Sequence, residues 1–186
     1  MPNLQSSTTV SSTNNSNNSL RVVDIVEGTS VDGPGLRTAV YFAGCAHRCP
    51  GCHNESTWPF DAGCDRSVAE LMDVIRYNGF DVTFTGGDPV YQAEALIPLA
   101  EAIRAEGLGI WCYTGFLFEE VAADVVPGAR RLLDFVDVLV DGPYMAALRN
   151  PDLLFRGSSN QRLVDVAAYL STGTVKLYSA DPIPHW

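Results

Sequence analysis

Long apolar runs are missing from this chain of 186 residues. Its longest purely apolar runs are only a few residues long, whereas a helix that crosses a bilayer needs about 20. The start of the chain also lacks the charged segment and apolar stretch of a secretory leader. We therefore expect a cytoplasmic protein without membrane contact. A hydrophobic content of 46% is ordinary for a folded domain of this length.

Positive charge is also scarce. Twelve Lys and Arg residues stand against 22 Asp and Glu residues, and the formal net charge is −10. A nucleic-acid surface needs clustered cations, so we expect no nucleic-acid partner. A local basic pocket for an anionic partner remains compatible with this composition.

The five cysteines do not suggest a disulfide framework, because their number is odd and three of them crowd onto one segment. Cys45, Cys49 and Cys52 form a C-x₃-C-x₂-C run directly after an apolar stretch. Three thiolates leave one iron of a cubane iron–sulfur cluster without a protein ligand. An open iron can bind a substrate or cofactor through nitrogen and oxygen donors, which indicates chemistry rather than simple electron transfer.

The same loop could also bind metal with other sets of ligands. The three cysteines with His47 or His53 could form a structural Cys₃His zinc site, although zinc sites usually combine two short segments separated in sequence. Cys64 or Cys112 could supply a fourth cluster ligand, which would close the open iron. We expect Cys112 to be a small buried hydrophobe in a strand and Cys64 to be a loop residue outside the site.

The chain divides into a Ser/Asn-rich segment, residues 1–19, and a single domain, residues 20–186. The first segment has almost no side chains that could build a core, so we expect it to be disordered. Apolar runs and amphipathic stretches then alternate. We predict strands over Leu36–Ala43, Asp81–Thr85, Gly109–Tyr113 and Val136–Val140, and helices over Ser67–Tyr77, Tyr91–Ala105, Leu117–Ala123 and Ala129–Phe135.

Two of the helices carry specific signals. Ser67 and Glu70 match a capping box at the start of the first helix. In the second helix, Pro98 predicts either a kink or a later start, and Gly107 can end the helix.

Alternation of strands and helices predicts an α/β fold with a parallel sheet, in which the loops after the strands share one edge. The cysteine loop follows the first predicted strand, and Gly86, Gly87 and Asp88 follow the second. The two glycines would let a ligand approach the backbone, and the carboxylate would suit an ammonium group. Taken alone, this Gly-Gly-Asp-Pro corner favours an ordinary turn over a binding site. Its place on the edge with the cysteines reverses that preference.

Taken together, the motifs of this chain resemble those of the radical S-adenosylmethionine enzymes, and more narrowly those of the activating enzymes of anaerobic (class III) ribonucleotide reductases. The resemblance covers roughly residues 21–165. The matching segments are Val23–Val26, Asp32–Arg37, Gly44–Trp58, Thr85–Pro89, Trp111–Gly115, Leu139–Gly142 and Arg156–Arg162.

This resemblance implies a [4Fe-4S] cluster on Cys45, Cys49 and Cys52, with S-adenosylmethionine on the fourth iron. One electron from the cluster would break a carbon–sulfur bond, giving methionine and a 5′-deoxyadenosyl radical that takes a hydrogen atom from a glycine of the partner. The cofactor-binding residues implied are Gly51, Cys52, His53, Gly86, Gly87 and Asp88. Arg37, Asp141 and Arg156 are each compatible with a structural ion pair or a partner contact.

The resemblance further implies a reduced, open partial TIM-type (β/α) barrel whose mouth is closed by a protein substrate, the large subunit of anaerobic ribonucleotide reductase. An electron donor of the flavodoxin or ferredoxin type would reduce the cluster. Alternative functions are activation of another glycyl-radical enzyme, such as a formate lyase, radical chemistry on a small molecule, or a non-enzymatic zinc module. The segment after Ala168 has no counterpart in the family; it could add an edge strand or contact the partner.

Overall fold

A computed structural model describes residues 19–179, which form a seven-stranded mixed sheet with helices. The strands are β1 Ser19–Thr29, β2 Arg37–Phe42, β3 Cys64–Ser67, β4 Asp81–Gly86, β5 Ile110–Tyr113, β6 Val138–Asp141 and β7 Arg162–Asp165. The helices are α1 Val68–Asn78, α2 Ala93–Ala105, α3 Phe118–Ala122, α4 Ala129–Leu132 and α5 Val166–Thr172, with 3₁₀ turns at Glu55–Thr57, Pro89–Gln92, Leu133–Phe135 and Ala146–Leu148.

The sheet has a parallel centre and antiparallel margins. Its strand order is β3-β1-β2-β4-β5-β6-β7. Strands β2, β4, β5 and β6 are parallel, whereas β1 and β3 on one side and β7 on the other run antiparallel to their neighbours. The parallel centre confirms the predicted α/β class, and it gathers the loops after these four strands at one edge.

All five helices pack on one face of the sheet. Alternate strand residues such as Val40, Phe84 and Cys112 join helix residues such as Leu71 and Leu99 in a single buried cluster. We call this side the helix face. The opposite side, the site face, carries a smaller apolar cluster of Trp111, Val138, Val140 and Leu163.

The helices with specific signals form as predicted. Helix α1 begins after Ser67, whose side chain and that of Glu70 form the expected reciprocal capping box. Helix α2 begins at Ala93, later than predicted, and contains Pro98 within its length. Gly107 follows that helix with a left-handed φ of 78°, as a terminating glycine does.

Three strands and one helix escaped prediction: β1, β3, β7 and α5. The margin next to β7 includes part of the segment after Ala168. Leu177 forms an isolated antiparallel bridge with Val164, so this segment pairs at the sheet margin but adds no full strand within residues 19–179. The predicted disordered segment, residues 1–19, lies outside the described residues except for Ser19, which begins β1. No helix within residues 19–179 is long and apolar enough to cross a membrane.

Arg37 is a buried cation on the site face and is only 1% exposed. Its Nε donates to the Thr83 hydroxyl at 2.7 Å, one Nη donates to the Val82 carbonyl at 2.7 Å, and the other lies 3.5 Å from the Asp81 carboxylate. The guanidinium lies over the Trp111 ring at 5.5 Å. Burial lowers the pKa of Arg37, opposed first by the charge of Asp81. Of the two roles compatible with the sequence, these contacts support the structural ion pair.

We expect Arg37→Leu to lower the free energy of unfolding by about 3 kcal/mol, because it leaves buried acceptors on β4 without donors. The measurement is urea denaturation followed by circular dichroism. Arg76→Leu is the matched control, since Arg76 is exposed and pairs with Glu106 at the surface; it should cost less than about 1 kcal/mol. Equal losses in the two variants would contradict a structural role for Arg37.

Candidate active site

The cysteine loop leaves the end of β2 and is fixed there by backbone hydrogen bonds. Gly44 N donates to Thr57 O at 2.8 Å, and Cys45 N donates to Trp58 O at 3.0 Å. Within the loop, Cys52 N donates to Cys49 O at 3.0 Å. These bonds close the segment into a compact turn that brings its three thiols to one wall of a cavity.

The cavity has a volume of about 510 Å³ and opens at the carboxyl ends of the parallel strands. Its floor is the site face of the sheet, with Tyr41, Thr85 and Tyr113. Further lining residues come from the cysteine loop, from the corners after β4, β5 and β6, and from the chain between β6 and β7. Those that the sequence singled out are Cys45, His47, Cys49, Gly51, Cys52, His53, Gly86, Gly87 and Arg156.

The donor set fits a cluster with one thiolate per iron. Cys45 is buried, and Cys49 and Cys52 are half-buried. Desolvation raises the pKa of the Cys45 and Cys49 thiols, so a bound metal would be needed to favour their thiolate forms. In the described part of the chain, no three His, Cys, Asp or Glu side chains converge closely enough to hold a single metal ion. A cubane cluster does not need such convergence, because its three thiolates bind different irons.

The two cysteines outside the loop lie away from the cavity, whereas the two histidines line it. Cys112 is 0% exposed on the helix face, as predicted, and burial raises its pKa well above the ordinary value. Cys64 lies not in a loop but at the start of β3, where it is exposed and outside the cavity. His47 is engaged by a carboxylate, described next. His53 is exposed at the cavity wall.

Asp88 lies beneath the cavity rather than in its wall and is 0% exposed. One carboxylate oxygen accepts from Val90 N at 3.0 Å. The other lies 2.9 Å from His47 Nε2 and accepts from the Thr114 hydroxyl at 2.9 Å and from Gly115 N at 3.0 Å. This carboxylate therefore connects the cysteine loop to the corners after β4 and β5.

Two glycines permit this close approach of the corners. A Cβ atom on Gly87 would lie 2.6 Å from the Gly44 carbonyl oxygen, and one on Gly115 would lie 2.5 Å from the His47 ring. Any side chain at either position would push the cysteine loop away. Gly87 therefore allows the loops to pack closely, in addition to leaving the backbone accessible to a ligand as the sequence suggested.

Several lining residues escaped sequence reasoning. Tyr41 and Tyr113 could have been found from strand alternation, since they face away from the apolar residues of β2 and β5. Desolvation raises the pKa of Tyr41 and of Asp32, another residue that lines the cavity. Tyr144 and Arg149 lie in irregular chain, for which no periodic signal exists.

Asp141 is buried at 0% exposure and has a structural environment. It accepts from Phe118 N at 2.7 Å and pairs with Arg162, which also contacts Glu119. These bonds attach the end of β6 to α3 and β7. Arg156, by contrast, lines the cavity.

We expect Asp88→Asn to lower the free energy of unfolding by about 3 kcal/mol, because an amide can replace only one of the two accepting oxygens. Whichever position the amide nitrogen takes, it would face a donor: Val90 N on one side, or the Thr114 hydroxyl and Gly115 N on the other. Iron and sulfide content after anaerobic reconstitution should fall in parallel, since the cysteine loop loses its anchor.

Thr114→Val is the matched control for this variant, because it leaves the carboxylate in place and removes one of its donors, a hydroxyl that also accepts from Phe116 N. Its cost should be about 1 kcal/mol with cluster content retained. If both variants behaved alike in urea unfolding and iron analysis, Asp88 would not be the anchor described above.

The chain is similar in sequence to known iron–sulfur and reductase-activating proteins. A family model described as "4Fe-4S single cluster domain" matches residues 31–164. The anaerobic ribonucleoside-triphosphate reductase-activating protein of Escherichia coli K12 is 36% identical over 141 residues, covering 70% of this chain and 89% of that protein. The protein of the same name from Salmonella typhimurium is 37% identical over 142 residues, with the same coverage. The crystal structure of QueE from Escherichia coli aligns with a TM-score of 0.45 and 20% identity over 52% of each chain.

Proposed function

The chain belongs to the family of anaerobic ribonucleoside-triphosphate reductase-activating proteins, and we propose that it performs their reaction in the cavity beside Cys45, Cys49 and Cys52. Its cofactors are a [4Fe-4S] cluster and S-adenosylmethionine. When bound, they supply reductive cleavage of a carbon–sulfur bond and, through it, a glycyl radical on the anaerobic ribonucleotide reductase. The family match favours this activity over the formate lyase, small-molecule and zinc alternatives.

The meeting of the three thiols and the glycine corners at one cavity carries this proposal. Each loop cysteine would hold one iron, and the remaining iron would face the cavity. Gly51 and His53 on the loop, with Gly86 and Gly87 opposite, would line the space for S-adenosylmethionine. Backbone groups at the two glycines can approach a ligand closely because no side chain intervenes.

For Asp88, the geometry supports an indirect role. Both carboxylate oxygens already accept hydrogen bonds from the protein, and the side chain is outside the cavity wall. It would therefore act by positioning the cysteine loop against the glycine corners, whereas the sequence suggested contact with the cofactor's methionine end.

The architecture supports a protein substrate. We propose that the sheet is a reduced, open barrel of the radical S-adenosylmethionine kind, since four parallel strands carry helices on one face and the cavity at their carboxyl ends. The large subunit of the reductase would close the mouth and present its glycine there. A flavodoxin-type or ferredoxin-type donor would reduce the cluster, and the cytoplasm is the compartment proposed for the reaction.

Electron paramagnetic resonance tests this function. We expect the anaerobically reconstituted, reduced protein to give a cluster signal that changes shape when S-adenosylmethionine is added, because the cofactor binds the open iron. With anaerobic reductase present, a glycyl radical signal should follow. A cluster signal indifferent to the cofactor would indicate a fourth protein ligand, and radical formation only on a formate lyase would reassign the partner.

Cysteine substitutions test the ligand assignment. We expect Cys49→Ala to lose both the cluster and S-adenosylmethionine cleavage, because one iron loses its thiolate. Cys112→Ala is the matched control and should retain both, since Cys112 lies on the other face of the sheet. Iron and sulfide analysis with chromatography of the cleavage products gives the answer, and loss of the cluster in the Cys112 variant would refute the assignment.

A further inference from the structure

Most cations of this acidic protein are paired with carboxylates. Within residues 19–179, the side chains of Arg21, Arg37, Arg66, Arg76, Arg104, Arg130 and Arg162 contact Asp or Glu. Those without such a contact in this range are Arg48, Arg131, Arg149, Arg156 and Lys176. Two of these five, Arg149 and Arg156, line the cavity. These two cations therefore lack a carboxylate contact in a cavity that also contains Asp32, although acidic residues outnumber basic ones 22 to 12 in the chain.

Arg149 and Arg156 lie on one folded segment, residues 145–161, which we call the strap. Its two arms pair in antiparallel fashion. Arg149 forms a β-bridge with Ser158, and Ser159 N donates to Leu148 O at 2.9 Å. The pairing therefore brings the two guanidinium-bearing residues from opposite arms to the same wall of the cavity.

Side-chain hydrogen bonds hold the strap in place, and they involve much of the matching segment Arg156–Arg162. The Gln161 oxygen accepts from Gly157 N at 3.0 Å and from Ser158 N at 3.2 Å. The Gln161 amide donates to Gly142 O at 3.2 Å, and Asn160 donates to Pro143 O at 2.7 Å. The motif thus fixes the strap to the corner after β6, close to the cysteine loop.

The guanidinium of Arg156 has an unused donor. One Nη donates to Gln161 O at 3.2 Å, whereas Nε is buried and has no hydrogen-bond partner. The side chain also lines the cavity, where a carboxylate could pair with its remaining Nη donors. Arg149 is exposed beside it. S-adenosylmethionine is expected to direct its own carboxylate to the open iron, which leaves these cations for another anion.

The strap also exposes apolar side chains. Met145, Leu148 and Leu154 are 45%, 39% and 40% exposed. Arginine and methionine beside apolar groups are a composition typical of protein interfaces, and cations steer an acidic partner toward them. This combination fits a polypeptide that carries both acidic and apolar residues.

We infer that the strap is the docking surface for the glycine-bearing segment of the partner reductase, and that this segment carries a carboxylate that pairs with Arg149 and Arg156. The inference rests on the proposed function. It assigns recognition of the partner to one short segment of this chain, and it predicts an acidic residue near the reacting glycine of the partner.

The test compares the anaerobic, cluster-loaded full chain with its Arg149→Glu variant in binding to anaerobic reductase at several salt concentrations. Arg149 is exposed, so the substitution should leave folding intact, which circular dichroism checks. We expect the variant to bind about tenfold more weakly at low salt and to lose most of the salt dependence of the wild type. Arg156→Gln should also weaken binding.

Arg131→Glu is the matched control, because Arg131 is exposed and without a carboxylate contact in the described range but lies on α4, on the helix face. It makes the same change in charge and should bind as the wild type does. Equal weakening in the two Glu variants, or none in Arg149→Glu, would overturn the inference. Failure of the wild type to cleave S-adenosylmethionine or to bind the reductase would instead contradict the proposed function.

Discussion

The carboxylate of Asp88 is the contact on which the geometry of the cavity depends. Three loops leave neighbouring parallel strands, and nothing in a sheet by itself fixes how such loops meet. A buried, acceptor-only group with two oxygens can bind donors from all of them at once. Here those donors are His47, Val90, Thr114 and Gly115. The cysteine loop is thereby held by the scaffold before any iron binds.

The two faces of the sheet have different roles: one contributes most of the stability, and the other forms the cavity. The helix face buries the large apolar cluster, which supplies most of the stabilisation by excluding water. The site face has fewer apolar contacts and places tyrosine and threonine side chains under the cavity. Each strand can supply side chains to both faces, because neighbouring side chains along a strand point to opposite sides of the sheet.

Local signals explain what could be predicted from the sequence. Helix α1 has a capping box and an apolar stripe, and β2 and β4 are buried runs, so each is encoded within a few residues. Strand β3 has four exposed residues and therefore no apolar pattern to detect. The spacing of the three loop cysteines predicted that they share a site, and all three line the cavity. The position of the Asp88 side chain could not be predicted, because the sequence Gly-Gly-Asp is the same whether the carboxylate faces a ligand or the protein interior. The cavity wall formed by residues 145–161 could not be predicted either, because it depends on long-range pairing.

The distribution of the five thiols has a practical consequence. Three would be bound to iron in the loaded protein, Cys112 is enclosed on the helix face, and Cys64 is exposed on strand β3. A maleimide or nitroxide reagent applied to the loaded protein would then meet one accessible sulfur. Cys64 is a natural attachment point for a single reporter group, so the native sequence is already suited to distance measurements between that edge of the sheet and the iron centre.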